Sequence, residues 1–94
     1  MNVAQIILSQ IKAIDPMALF AWGAKNIWAD TDGLGFTSSG MTRWKGNVFV
    51  KYNEGTDLYD ITFARIRKME QIIDKRVNDV FCEDLVRVID EQVG

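Results

Sequence analysis

The sequence predicts an α+β fold, in which an antiparallel sheet of four or five strands is flanked on one face by an N-terminal and a C-terminal helix. Apolar residues recur at helical spacing near both ends of the chain. In the middle, two runs of β-branched and aromatic residues flank a glycine-containing turn at residues 53–56.

Size and composition indicate one domain. The chain has 94 residues, of which 48% are hydrophobic and 26% are charged. These proportions are average for globular proteins and argue against disorder. A chain of this length buries roughly 60 to 65% of its unfolded surface, which is enough for one thin core but not for two. We therefore predict a single domain over residues 1–94.

An amphipathic stripe predicts the first helix at residues 2–13. Its apolar positions are Val3, Ile6, Ile7, Ile11 and Ile14. The helix is expected to end at Asp15, because the residue before a proline avoids the α region. Asp15 and Pro16 could instead begin a further short helical turn, and the chain bends there in either case.

The apolar stretch after Pro16 is long enough for a helix, but its aromatic residues and two-residue alternation favour a strand. We predict a strand at residues 18–29 and its hairpin partner at residues 33–38. Asp32-Gly33 is a favoured type I′ pair for the turn between them. In such a strand one face would carry Phe20, Trp22, Ala24 and Trp28.

The central hairpin is predicted from strands at residues 47–52 and 57–63. A two-residue loop at Glu54-Gly55 would place Val50 opposite Tyr59 and Val48 opposite Ile61. A three-residue loop with a bulge would instead pair Val50 with Leu58. We favour the first register because it collects the branched residues on one face of the sheet.

The C-terminal third contains one ambiguous segment and one clear helix. Residues 66–78 fit a strand or a helix, and the sequence leaves both open. The last helix is predicted from Asp79, which can cap its first turn. Its apolar stripe consists of Val80, Phe81, Leu85, Val88, Ile89 and Val93.

Charge is divided unevenly along the chain, although the net charge is only −2. Residues 43–76 are net basic and residues 77–94 are net acidic. Such regions more often neutralise one another across a fold or a dimer than mark a nucleic-acid site. If the middle of the chain binds a polyanion, the candidate contacts are Lys51, Arg65, Arg67 and Lys68.

The residue types argue against catalysis. The sequence has no histidine, which excludes imidazole acid–base chemistry and the common Cys/His zinc sites. Its single cysteine, Cys82, is followed by Glu83 and Asp84, which disfavour a reactive thiolate. We expect no enzyme activity, no cofactor and no metal site.

The cysteine count and the distribution of apolar residues also indicate where the protein is located in the cell. One cysteine cannot form an intramolecular disulfide, so a secreted, disulfide-stabilised scaffold is excluded. The start of the chain lacks the basic segment and the uninterrupted apolar run of a signal peptide. No run approaches the roughly 18 apolar residues of a membrane span. We expect a cytoplasmic protein that does not enter a membrane.

Aromatic residues are the candidate binding feature. Phe20, Trp22, Trp28, Trp44, Tyr52 and Tyr59 would lie on one side of the sheet if both helices cover the other. Exposed aromatic residues on a sheet mark a subunit interface or a stacking platform for nucleic acid. Aromatic residues in a small domain also fill the core, and we consider a core or interface role the better interpretation.

Three segments resemble small uncharacterised proteins of bacterial phages and integrated mobile elements. These segments are Asp15–Asn26, Gly55–Ile61 and Glu83–Asp90. The resemblance implies a single α+β domain with an accessory role and no known activity.

Two functional hypotheses follow. The first is a non-enzymatic interaction protein that forms a homo-oligomer, a homodimer in the simplest case, and binds a protein partner through a face or an edge of its sheet. The second is an accessory protein that binds nucleic acid through aromatic strands and the basic middle segment.

Overall fold

The computed structural model describes residues 2–39 and 44–94. The elements follow the chain as α1 (Val3–Ile14), α2 (Ala18–Ala21), β1 (Ala24–Ala29), β2 (Gly33–Ser39), β3 (Lys45–Asn53), β4 (Leu58–Arg67), β5 (Glu70–Val80) and α3 (Leu85–Val93). The strands form one antiparallel sheet in the order β1-β2-β3-β4-β5. The predicted α+β class, with a helix at each end and a five-stranded sheet between them, is confirmed.

The core lies between the sheet and the two terminal helices. Ile7 and Ile11 of α1 and Leu85 and Ile89 of α3 are fully buried in one cluster. The strands contribute alternate residues to the same cluster: Leu34, Phe36, Val48, Val50, Tyr59, Ile61 and Phe63. Both helices therefore cover one face of the sheet, which we call the helix face, and neither covers the opposite, open face.

Helix α1 begins at a capping box. The Asn2 side chain accepts the Gln5 backbone N–H at 2.8 Å, and the Gln5 side chain accepts the Asn2 backbone N–H at 3.1 Å. Two backbone donors without helical partners are thereby satisfied. The helix ends at Ile14, and Asp15 adopts the extended backbone expected before a proline.

The strand predicted at residues 18–29 is wrong in its first half, where the chain forms α2. The Asp15 side chain accepts the Met17 backbone N–H at 3.0 Å and so starts a new turn after Pro16. Gly23 adopts a left-handed conformation with φ 62° just after that turn. A glycine at this position ends a helix without steric cost, so only Ala24–Ala29 becomes a strand.

The first hairpin turns one residue earlier than predicted. The Asp30 backbone N–H donates to the Gly33 carbonyl at 3.0 Å, which leaves Thr31 and Asp32 at the centre of the turn. Gly33 belongs to β2 and is buried. A Cβ at Gly33 would lie 2.2 Å from the Val50 carbonyl oxygen, so this glycine permits close strand approach and not the turn.

The central hairpin is formed, but both predicted registers are wrong. The structure pairs Val50 with Ile61 and Val48 with Phe63. This differs by two residues from the favoured register, so Val48, Val50, Tyr59 and Ile61 still lie on the buried face as expected.

The longer turn has an identifiable cause in its side chains. The Asn53 side chain accepts the Gly55 backbone N–H at 2.9 Å, and the Asn53 carbonyl accepts the Asp57 backbone N–H at 2.8 Å. Asp57 takes a left-handed conformation, with φ 59°. These hydrogen bonds close a four-residue loop at residues 54–57 and shift the pairing of β3 with β4 by two residues from the favoured register.

The ambiguous segment at residues 66–78 is strand. β4 continues to Arg67, and β5 begins at Glu70. The two residues between them, Lys68 and Met69, have φ values of 51° and 66°. Positive φ at both central positions is the type I′ geometry of a two-residue hairpin, here made without glycine or asparagine.

The last helix is shorter than predicted. Asp79 has φ 59° and donates its backbone N–H to the Asp60 side chain at 3.1 Å. It therefore lies in an irregular part of β5 and does not cap the last helix. A 3₁₀ turn at Cys82–Asp84 precedes α3. Phe81 is 55% exposed, whereas the rest of the expected stripe, Val80, Leu85, Val88, Ile89 and Val93, is buried.

Candidate functional site

The open face carries an ordered row of side chains across all five strands. The strand register places Trp28 beside Gly35, Gly35 beside Phe49, Phe49 beside Thr62, and Thr62 beside Arg76. Neighbouring strands lie about 4.8 Å apart, so Phe49 and Arg76 are separated by roughly 10 Å. An aromatic pair and a cation therefore share one line across the sheet.

The indole of Trp28 lies over Gly35. A Cβ at Gly35 would lie 2.1–2.4 Å from three atoms of that ring, so only glycine leaves room for it. The ring centroids of Trp28 and Phe49 are 5.7 Å apart and their planes meet at 65°. This edge-to-face contact fixes the pair on the sheet while both rings remain half-buried.

A second row runs parallel to the first and is mostly polar. It consists of Lys25, Thr37, Asn47, Ala64 and Ile73. The Thr37 hydroxyl donates to Oδ1 of Asn47 at 2.9 Å. Within residues 2–39 and 44–94 the Asn47 amide nitrogen has no acceptor, so it remains a donor on this face.

The second candidate surface is the end of the β4–β5 hairpin. β3 pairs with β4 only as far as Asn47 and Ala64. Beyond that point, residues 65–72 form a two-stranded ribbon, which we call the arm. Three exposed apolar side chains lie on the arm, Ile66 at 67%, Met69 at 98% and Ile72 at 37%, and Ile73 at its base is 44% exposed.

The two sides of the arm differ in charge. One side of the arm continues the helix face and carries Arg65, Arg67 and Glu70. The two arginines alternate with Ala64 and Ile66 along β4, and Glu70 is the paired neighbour of Arg67 on β5. The other side carries Ile66, Gln71 and Ile73 and no charged residue. Two exposed isoleucines without a charged neighbour on the same side resemble the composition at the centre of protein interfaces, where charged residues are depleted.

Asp74 anchors the arm to the rest of the sheet. Its carboxylate accepts the Trp44 indole N–H at 2.9 Å and an Arg65 N–H at 3.0 Å. The hydrogen bond from Arg65, followed by that from Trp44, lowers the pKa of Asp74 below its ordinary value. Asp74 is therefore held in its charged form at the point where the arm begins.

The six aromatic residues expected on one surface are not brought together. Trp22 is buried, stacks on Phe36 with centroids 5.9 Å apart, and donates its indole N–H to Asp90 at 3.1 Å. Tyr59 is also in the core, and its hydroxyl donates to Gln10 at 2.6 Å. Burial raises the pKa of Tyr59, partly offset by that hydrogen bond. Neither side chain is available for stacking.

The other four lie at separate places. Tyr52 is on the helix face beside Tyr59, and its hydroxyl donates to Asp57, which raises the pKa of Tyr52. Trp44 packs edge-on against Phe63 at 5.8 Å on the same face. Phe20 is 73% exposed on α2. Only Trp28 lies on the open face.

The four candidate polyanion contacts, Lys51, Arg65, Arg67 and Lys68, are also divided. Lys51 is on the open face but lies 3.5 Å from the Asp32 carboxylate. Arg65 is held by Asp74 at the arm base. Arg67 and Lys68 are exposed at the arm tip and make no ion pair within the described residues. Arg43, part of the basic middle segment, lies outside the described residues.

Phe49, Gly35 and Arg76 were not singled out from the sequence. Their grouping depends on strand register, which a single sequence specifies poorly at this turn. The alternation of Asn47, Phe49 and Lys51 with two valines does indicate a face opposite the core, and it is the one signal that could have identified Phe49.

Cys82 shows no sign of activation. Burial, and then a hydrogen bond from its thiol to Glu83 at 3.5 Å, raise the pKa of Cys82 above its ordinary value. Among the described residues no group of three or more acidic or cysteine side chains is placed to hold a metal ion.

Comparisons with family models, curated proteins and solved structures give no match. None of the helices in the described part of the chain combines the length and the apolar character needed to span a membrane.

Proposed function

We propose that this is a small, non-enzymatic interaction protein that associates with a second copy of itself through the uncharged side of its arm. The observation that carries the proposal is the exposed apolar surface of the arm, where Ile66 is 67% exposed on the uncharged side and Met69 at the tip is 98% exposed and follows Lys68 in a left-handed turn. A bulky residue at positive φ is strained, and strain of this kind is concentrated at functional sites.

The arm also needs a partner for physical reasons. A two-stranded ribbon alone is marginally stable in water and requires packing on one side. Here the side formed by Ile66 and Ile73 faces solvent. The same surface on a second copy, related by a twofold axis, would cover it without placing like charges in contact.

The sheet edges are poorer sites than the arm. β5 has two register irregularities, carries Lys75 and Arg76, and ends near the left-handed Asp79. β1 is short and is interrupted at Asn26, which has φ 51°. Irregularities and charges of this kind discourage strand addition at an edge.

Sedimentation velocity across a wide range of protein concentration tests the proposal. The weight-average mass of the natural chain should rise with concentration, whereas the double variant Ile66→Thr with Met69→Gln should remain monomeric. Met17→Gln with Phe20→Gln is the matched control, because those side chains are 59% and 73% exposed outside the arm. The control should associate like the natural chain. A natural chain that stays monomeric, or a control that loses association equally, contradicts the proposal.

A cytoplasmic location and an origin in a phage or mobile element remain part of the proposal. The lone cysteine supports the first, and the resemblance of three segments supports the second. A further protein partner is compatible with the arm contact.

A further inference from the structure

The open face contains a second feature that the arm contact does not use. Trp28 and Phe49 form an edge-to-face pair near its centre, and the paired strands bring polar side chains around it. Because no helix of residues 2–39 and 44–94 covers this face, the rings have one side available to a ligand.

We propose that the open face binds single-stranded nucleic acid, with bases stacking on Trp28 and Phe49 and phosphates contacting Lys25 and Arg76. Aromatic side chains on a sheet bind unpaired bases by stacking, which tolerates any sequence. The two cations lie on the outer strands β1 and β5, so they flank the aromatic pair from opposite sides.

Two cations without a carboxylate partner in residues 2–39 and 44–94 favour an anionic ligand. Lys25 and Arg76 are exposed and make no ion pair within the described part of the chain. Of the carboxylates that line the same pocket as Phe49 and Arg76, Asp32 lies 3.5 Å from Lys51 and Asp60 accepts the Asp79 backbone N–H at 3.1 Å. Asp30 lines this pocket too and makes no ion pair within the described residues. Carboxylates and cations are therefore mixed on this face, and the phosphate contacts are assigned to the two cations that have no carboxylate partner among the residues that the structure describes.

The polar groups between the cations distinguish this surface from a protein interface. Thr37, Asn47 and Thr62 occupy positions that the centre of a protein interface fills with apolar side chains. The Asn47 amide nitrogen is a hydrogen-bond donor that an unpaired base edge can use. In a duplex the bases are stacked on one another and cannot reach the rings.

Fluorescence anisotropy of a labelled oligothymidylate of about twelve nucleotides, a length within the usual site size, tests the proposal. Titrations are made from about 50 mM to 200 mM salt, at protein concentrations below self-association. The natural chain should bind, and its affinity should fall as salt rises.

Arg76→Glu has a close control in Lys75→Glu. Lys75 pairs with Phe63 and Arg76 with Thr62, so the two adjacent residues point to opposite faces of β5. Both variants undergo the same change of charge. Arg76→Glu should weaken binding and reduce the salt slope by roughly 0.7, the value expected for one lost phosphate contact, whereas Lys75→Glu should change neither.

Phe49→Leu tests stacking separately from charge. It should weaken binding by about fivefold or more while leaving the salt slope unchanged. Thermal denaturation of each variant establishes that it is folded.

Four results would overturn the proposal: no binding at the lowest salt, equal loss in Lys75→Glu and Arg76→Glu, equal affinity for a duplex of the same length, or an unchanged affinity in Phe49→Leu. If Arg76→Glu abolishes self-association and the natural chain does not bind the oligonucleotide, the open face is a contact between copies instead. The arm variant, Ile66→Thr with Met69→Gln, should lose self-association and still bind the oligonucleotide on the open face. Each proposal can therefore be contradicted without the other.

Discussion

At the scale of single residues, several side chains have roles that their neighbours in sequence do not suggest. Gly35 looks like an ordinary strand residue, yet its lack of a side chain leaves the space that the Trp28 indole occupies. Trp44 looks like a stacking residue, yet it donates a hydrogen bond to Asp74 at the arm base. Both roles depend on contacts between strands and appear only after the sheet is assembled.

Gly35→Ala should destabilise the protein by about 1–3 kcal/mol, because the added methyl group overlaps the Trp28 ring and forces it to move. Urea denaturation measures the loss, and near-ultraviolet circular dichroism should show the altered indole environment. Gly55→Ala is the control, since its Cβ would meet only the Asn53 side chain at 3.3 Å. A Gly35→Ala variant as stable as the control would show that Trp28 does not occupy this position.

The anchor at Asp74 should depend on pH. Its pKa is lowered by Arg65 and Trp44, so its contribution to stability is complete above the pKa of the unfolded chain and is lost as pH falls through the lower folded value. The indole N–H resonance of Trp44 should therefore shift with a midpoint below the ordinary carboxyl pKa of 3.8. In Asp74→Asn this transition should be absent. A midpoint at or above the ordinary value would contradict the anchor.

At the scale of elements, the terminal helices were predictable because their apolar stripes are long and regular. The faces of β3 and β4 were also predictable, since branched apolar residues alternate with other residue types in both strands. Their register was not, because it depends on the hydrogen bonds that Asn53 makes within the turn. The helix at Ala18–Ala21 was foreseen only as an alternative short turn at Asp15 and Pro16, because it is one turn long and is set by the Asp15 side chain.

The arm turn offers a test of stored strain. Replacing Lys68-Met69 by Asn-Gly supplies the residues that prefer a type I′ turn. We expect the double variant Lys68→Asn with Met69→Gly to be more stable than the natural monomer by about 1 kcal/mol, since two strained residues are relieved. It should also associate less, because Met69 is lost. Urea denaturation would measure the gain in stability, and sedimentation velocity would measure the loss of self-association. A destabilised variant, or one that associates as strongly as the natural chain, would contradict it.

At the scale of the whole molecule, the chain places both helices on one face of its sheet and extends a hairpin past the end of β3. The core is closed on the helix side by Ile7, Ile11, Leu85 and Ile89. Nothing in the described part of the chain packs on the uncharged side of the arm, where Ile66 remains 67% exposed. The arm and the open face are therefore two surfaces that the described part of the chain leaves uncovered.

Hydrogen exchange of the arm amides as a function of protein concentration tests the arm contact most directly, since it uses the natural chain. A ribbon of two strands opens readily when it is bare and is protected when a second copy covers it. We predict that amides at residues 65–72 exchange slowly in concentrated protein and rapidly after dilution, whereas those at the centre of β3 and β4 stay protected throughout. Arm exchange that is the same at every concentration would show that no second copy covers the arm.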